Sequence, residues 1–302
     1  MVAAVAHERG DGRAGGGVVV FVAARRARLL ASPLLILVAI ACHEVTAALP
    51  SSSKAFAPPP VYQLWWQMTE ACSGHTGLVT DVHWFVVPDA DSISDGSEEV
   101  AGYWSSGENR IVLIGAAQFN GAIVRHEMLH ALTRVDGHPR SEFVERCGGV
   151  VDCRVACVGD AGAPPTPPMG TPQVSPDSLV LGIELQPTTP GVNTFDGYFT
   201  IAVTARNPAD HPVIALLLPS GDSDPSVSYT LSLQRSGGRL SFTSWAWDPE
   251  ATYFAAGETK RQVFDLVEGT SAGAANIGLG SFRARAALGA GHALTETIVL
   301  TP

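Results

Sequence analysis

Apolar residues change their period along the chain, and each change marks an element. From Val61, VYQLWWQMTEACSG sets Leu64, Trp65, Met68 and Cys72 on one helical face and stops at Ser73-Gly74. Val82 to Val87 (VHWFVV) is β-branched and aromatic and halts at Pro88, which predicts a strand. Residues 88–99 are acidic and turn-rich, a surface loop. Ala101 to Trp104 reads as a short strand and Glu108 to Gly115 (ENRIVLIG) as a clearer one. Helical spacing returns from Phe119 to Arg134, with Ile123, Leu129 and Leu132 available to a core and Asp136-Gly137 as the stop.

The pattern then breaks. Residues 159–176 are Pro-rich and read as a linker. Beyond it the period falls to two in Leu179–Leu185, Tyr198–Arg206, Ser228–Gln234, Arg239–Trp245, Lys260–Leu266, Ser281–Leu288 and Glu296–Leu300. Short alternating runs between Gly, Pro and Asp turns predict an antiparallel β-sandwich, immunoglobulin-like in size, over residues 177–302. The expected fold class is therefore an α+β domain, residues 61–158, followed by an all-β sandwich.

Composition narrows the function. Hydrophobic residues make up 46% of the 302 and charged residues 16%, as in globular protein. The net charge of −10, with no basic block beyond Arg25-Arg26-Ala27-Arg28, argues against nucleic acid as a partner. That cluster precedes the 13 apolar residues Leu29 to Ala41, too short to span a bilayer comfortably. Positive flank, apolar run and small residues predict a secretory signal peptide over residues 1–41. Ala39-Ile40-Ala41-Cys42 resembles a bacterial lipobox, which implies a lipoprotein anchored through Cys42; cleavage near Ala47 or Ala48 is the alternative. Residues 42–60, rich in Ser, Ala and Pro, read as a tether. The expected location is the bacterial cell envelope or the medium, and a monomer is expected.

Export places Cys72, Cys147, Cys153 and Cys157 in an oxidising compartment, where disulfides are expected rather than a structural zinc site. Three pairings are open. A Cys72–Cys147 bridge would staple the first domain and leave Cys153 and Cys157 to pair locally.

The chemistry concentrates in His126-Glu127-Met128-Leu129-His130. Four residues along a helix put His126 and His130 on one face, where two imidazoles can share a zinc ion. Glu127 falls beside them, placed to act as general base on a metal-activated water without being a ligand. A catalytic zinc takes three protein ligands. His138, past the helix stop, is the leading third ligand, and Asp136, Glu142 and Glu145 are the others. Tyr103, Arg140 and His75 are conceivable transition-state donors, and spacing selects none of them.

The order of helix, strands and H-E-x-x-H helix resembles the zincin metallopeptidases. Around the motif, HEMLHAL followed by GHPRSEF is similar to SprT-like zincins, although the spacer is shorter and no zinc ribbon follows. The resemblance covers Val61 to about Cys157 and implies the zincin core with its zinc, not that family's substrates. It also implies an edge strand that pairs with extended substrate, for which Arg110–Ile114 is the candidate. AAGETKRQVFDLV and GSFRARAAL resemble bacterial Ig-like modules of the BsuPI type. Two functions follow as expectations. One is an exported, lipid-anchored zinc peptidase acting on peptide or protein, with the sandwich as an accessory module. The other is a non-catalytic cell-surface binding protein with a degenerate zincin core and a binding Ig-like half.

Overall fold

The computed structural model describes residues 48–96, 98–153, 157, 166–186, 198–215, 229–235, 240–246, 253–267, 280–288 and 292–300. The expected signal peptide, Cys42 and the start of the tether lie outside the described residues, as do residues 159–165 of the linker. No helix among the described residues is long and apolar enough to cross a membrane.

The fold is mixed α+β. In chain order the first half holds β1 (Lys54–Ala55), α1 (Val61–Ser73), β2 (His83–Val87), β3 (Ile93–Ser94), β4 (Glu99–Val100), β5 (Gly102–Ser105), β6 (Arg110–Ile114) and α2 (Gly121–Thr133). Four strands form one sheet in the order β1-β2-β6-β5. β2 and β6 are parallel, and β1 and β5 run antiparallel to their neighbours. On β6, Ile111 and Leu113 face the core shared with Trp65, Trp66, Val124 and Met128 of the two helices. Val112 and Ile114 face the opposite core with Val87, Ile93 and Tyr103.

That double burial corrects one expectation. Arg110–Ile114 is not an edge strand, because a continuous apolar run that buries on both faces belongs inside a sheet. The edge beside α2 is β5. The expected loop at 88–99 contains the small hairpin β3–β4, with Ile93 5% exposed and packed under the sheet. The tether is also shorter than expected. Lys54 and Ala55 pair with Val86 and Phe85, and Phe56 packs edge-on against Tyr62 and Trp84. An aromatic residue beside an open sheet edge gains more from burial than from remaining in solvent.

α1 ends as its sequence predicts, with Gly74 in the left-handed region at φ 74°. α2 starts on Asn120, whose side chain accepts from the Ile123 N–H. It stops at Arg134, itself left-handed at φ 59°, two residues before the expected Asp136-Gly137. A disulfide joins Cys72 at the end of α1 to Cys147, and another joins Cys153 to Cys157. This is the pairing expected of a stapled first domain.

The second half holds β7 (Gln173–Val174), β8 (Val180–Gln186), β9 (Tyr198–Arg206), β10 (Val213–Ala215), β11 (Tyr229–Arg235), β12 (Leu240–Ala246), β13 (Tyr253–Phe254), β14 (Thr259–Val267), β15 (Gly280–Leu288) and β16 (His292–Leu300). All seven expected runs are strands, and β7, β10 and β13 are additional. They form sheets in the orders β14-β9-β8, β12-β11-β15-β16 and β13-β10-β7. One core with Phe199, Ile201, Tyr229, Phe254, Leu266, Phe282 and Ile298 takes side chains from all three sheets. Because Gln173–Val174 pairs parallel with β10, the end of the Pro-rich segment belongs to this half and not to a linker.

The two halves are not separate bodies. The described residues form one compact unit within Glu44–Pro302. The Val263 N–H donates to the Gly149 carbonyl at 2.7 Å, and Val150, Ala202 and Val263 share an apolar cluster with Met68 and Cys72.

The bridge between Cys72 and Cys147 spans 75 residues. The double variant Cys72→Ala/Cys147→Ala should lose about 4 kcal/mol of unfolding free energy. Urea denaturation checks this, with the far-UV spectrum of the native state unchanged.

Candidate metal centre

α2 carries His126 and His130 one turn apart, and both are buried, at 6% and 5% exposure. The chain leaves the helix at Arg134, turns through Val135–Gly137 and returns His138 to the same point. The Nε2 atoms of His126 and His138 lie 3.0 Å apart, and those of His126 and His130 lie 3.2 Å apart. Two ligands of a tetrahedral zinc, each at about 2.0–2.1 Å, would lie about 3.3–3.4 Å from each other. The His126–His130 separation is near that spacing and the His126–His138 separation is shorter, and the ligand atoms of all three lie within 4.8 Å of one another.

The other ring nitrogens explain why. His126 Nδ1 lies 2.6 Å from the Asp152 carbonyl oxygen, and His130 Nδ1 lies 2.7 Å from that of Val135. A carbonyl oxygen only accepts, so each Nδ1 carries a proton and each Nε2 presents a lone pair. Burial drives the His126 pKa well below its ordinary value and that of His130 down to about 4, with the neighbouring rings adding to both shifts. Both rings are therefore neutral at physiological pH. Two lone pairs directed at each other across 3.2 Å repel, unless a cation lies between them. The donor set thus fits a divalent metal held by three imidazoles.

Glu127 is 5% exposed, and burial pushes its carboxyl up to about 8, while a hydrogen bond from the Trp104 main chain pulls the other way. The bond comes from β5, the end strand of its sheet among the described residues, which places this carboxyl beside it. Trp104 also stacks its ring parallel to His130, with centroids 6.3 Å apart. Phe143, fully buried in the π-helical turn Ser141–Arg146, lies against all three histidines, with centroids 5.1, 4.6 and 5.0 Å from His126, His130 and His138.

The acidic alternatives to His138 lie elsewhere. Asp136 is exposed, Glu142 faces His75 at 3.7 Å and Arg146 at 3.3 Å, and Glu145 faces Arg140 at 3.3 Å. His75 and Arg140 are thus engaged by carboxylates. Tyr103 points to the other side of the sheet, where its hydroxyl reaches the Ala48 carbonyl. Among the described residues the one other ligand group is His126 with Cys153 and Cys157, whose sulfurs are bonded to each other. Sequence reasoning missed Phe143, the two backbone carbonyls and Trp104. Only Phe143 had a signal available, as an apolar residue between the two acids of GHPRSEFVE.

No family model matches the sequence, and no curated protein is significantly similar to it. Solved structures give slight likenesses. One is an alkylpurine DNA glycosylase from Pseudomonas fluorescens, bound to DNA containing an abasic site analog, at 9% identity and a TM-score of 0.26 over 41% of this chain and 31% of that one. Another is a β-glucosidase from Listeria innocua, at 13% identity and a TM-score of 0.23 over 41% of this chain and 16% of that one. The chain thus spans a third or less of the length of these structures, and at such TM-scores they carry no argument about it.

The buried groups set a pH dependence for protein stripped of metal by a chelator. A histidine whose pKa falls from 6.5 to about 4 on folding contributes stability fully above pH 6.5, and loses it as pH drops towards 4. A carboxyl raised from 4.5 to about 8 contributes fully below pH 4.5, and loses its contribution as pH rises through 8. With two histidines against one carboxyl, stability should peak at about pH 6.5. Urea midpoints across this range check it, and Glu127→Gln should flatten the alkaline limb and steepen the acid limb.

Proposed function

We propose that this protein is an exported zinc-dependent peptidase, anchored by lipid at Cys42, with a zincin-like first half and an immunoglobulin-like β-sandwich as its second. The observation that carries the reading is the convergence of three Nε2 atoms, those of His126 and His130 holding inward lone pairs because carbonyl oxygens stand behind their rings. Glu127, next in the chain to His126 and buried with its carboxyl bonded by the Trp104 main chain, would add the proton carrier that hydrolysis requires.

His126, His130 and His138 would hold the zinc. When bound, the ion supplies Lewis acidity, drawing charge from a carbonyl oxygen and making a water acidic near neutral pH. Glu127 takes a proton from the attacking water and delivers it to the leaving amine. Its burial keeps the carboxyl near the working pH, where gaining and losing a proton are both easy. Phe143 and Trp104 exclude bulk water from the rings. Among the described residues β5 has one strand neighbour, β6, and an extended peptide adding on its other side would lie along Gly102–Ser105, next to the Trp104 main chain that holds Glu127. The resemblance to zincins around HEMLHAL supports the same assignment.

The purified protein should carry one zinc per chain. Glu127→Gln should retain the zinc and lower peptide hydrolysis by about 10²–10⁴-fold. His138→Ala should lose the metal, as elemental analysis after dialysis would show. Substoichiometric zinc in the wild type, or full hydrolysis by the Glu127 variant, would sink the proposal.

A further inference from the structure

Arg125 immediately precedes the first histidine of the motif, and it is fully buried. Its Nη1 and Nη2 donate to Oδ1 and Oδ2 of Asp265 on β14, at 2.9 and 2.8 Å, in the paired geometry that makes Arg–carboxylate contacts strong. Its Nε donates to the Val150 carbonyl at 2.7 Å, and the Thr200 hydroxyl of β9 donates to Asp265 Oδ1 at 3.2 Å. One carboxylate of the second half therefore holds the helix that carries the histidines and, through Arg125, the loop at Val150.

That loop matters because Asp152, two residues on, supplies the carbonyl behind His126. The Asp152 N–H returns to the Ala122 carbonyl of α2 at 3.0 Å, and Gly149 is held by the Val263 N–H of β14. Two glycines mark the tightness of the joint. A Cβ on Gly149, at φ +76°, would lie 1.9 Å from the Arg261 carbonyl oxygen, and a Cβ on Gly121 would lie 2.7 Å from both Arg125 Nη1 and Asp265 Oδ2.

We infer that Asp265 is a positioning residue for the three-histidine centre, acting through Arg125 and the 148–152 loop on the orientation of His126. The inference rests on the reading of that centre as a metal site. Without the carboxylate charge a buried guanidinium is left uncompensated. It must then shift towards water or another acceptor, which releases the Val150 carbonyl and with it the register of the Asp152 carbonyl against the His126 ring. Partners behind a metal-bound histidine fix its tautomer and orientation, and their loss weakens the metal site.

The test is the zinc affinity of Asp265→Asn in the full chain, measured by competition with a chromophoric chelator, together with the visible spectrum of the cobalt-substituted protein. The expected result is about tenfold weaker zinc binding and altered cobalt bands in a folded protein. Glu184→Gln breaks the exposed Arg261–Glu184 pair of the same sheet, 2.8 Å long, and should change neither readout. Wild-type affinity and spectrum in Asp265→Asn would overturn the inference, as would an equal loss in Glu184→Gln. If Asp265→Asn does not fold, Thr200→Val removes one hydrogen bond to the same carboxylate. It should weaken zinc by about threefold, and wild-type affinity there would also overturn the inference. A wild-type protein that binds no zinc defeats the metal-site reading itself, whereas equal binding by wild type and variant defeats only the positioning role.

Discussion

A guanidinium with no access to water must be met by an opposite charge and by acceptors in the plane of its donors, or the chain will not bury it. Arg125 meets that constraint with Asp265 from the second half and the Val150 carbonyl from the loop beyond α2. The rest of the arrangement follows from where those partners are. Arg125 of α2 is tied to β14 through Asp265, the 148–152 loop hydrogen-bonds to both elements, and Gly149 stands where a Cβ would meet the Arg261 carbonyl. An apparent accessory module thereby supplies the counter-charge of the residue next to His126. The Cys72–Cys147 bridge fixes the same region from the α1 side.

The histidine cluster uses the same principle at smaller scale. Carbonyl oxygens at Asp152 and Val135 decide which nitrogen of each ring carries its proton, and burial decides that the rings stay neutral. Together these leave lone pairs pointing inward, which is the form a divalent cation requires. Glu127, buried in the same low-dielectric surroundings, responds in the opposite sense, because desolvation penalises a carboxylate and an imidazolium alike by favouring their neutral forms. Two histidines and an acid on successive turns of one helix thus reach complementary protonation states from one cause.

Much of this was legible beforehand, for local reasons. The helical face of VYQLWWQM, the stop at Gly74, the motif helix and the seven alternating runs of the second half all depend on period and turn chemistry, which neighbouring residues settle among themselves. The edge strand was misplaced because ENRIVLIG shows only that a strand is apolar throughout, and the sheet order shows that such a strand lies inside. The tether was overextended because Lys54–Phe56 has no period of its own and takes its form from β2. The choice among His138, Asp136, Glu142 and Glu145 stayed open because all lie within a few residues of one another past the helix, and the direction of a turn cannot be read from spacing.

By itself the sequence determined most of the helix and strand inventory, the two histidines on one face of α2 with the glutamate beside them, and four cysteines beyond Cys42 in an even set. These follow from periodicities of 3.6 and 2, which are properties of the local backbone. Only the tertiary structure decided that His138 closes the group, which cysteines pair, that β5 is the end strand beside Glu127 among the described residues, and that Asp265, 140 residues along the chain from Arg125, neutralises it. Those contacts join residues far apart in sequence. Their energetics come from burial and charge, which exist only once the distant parts of the chain have met.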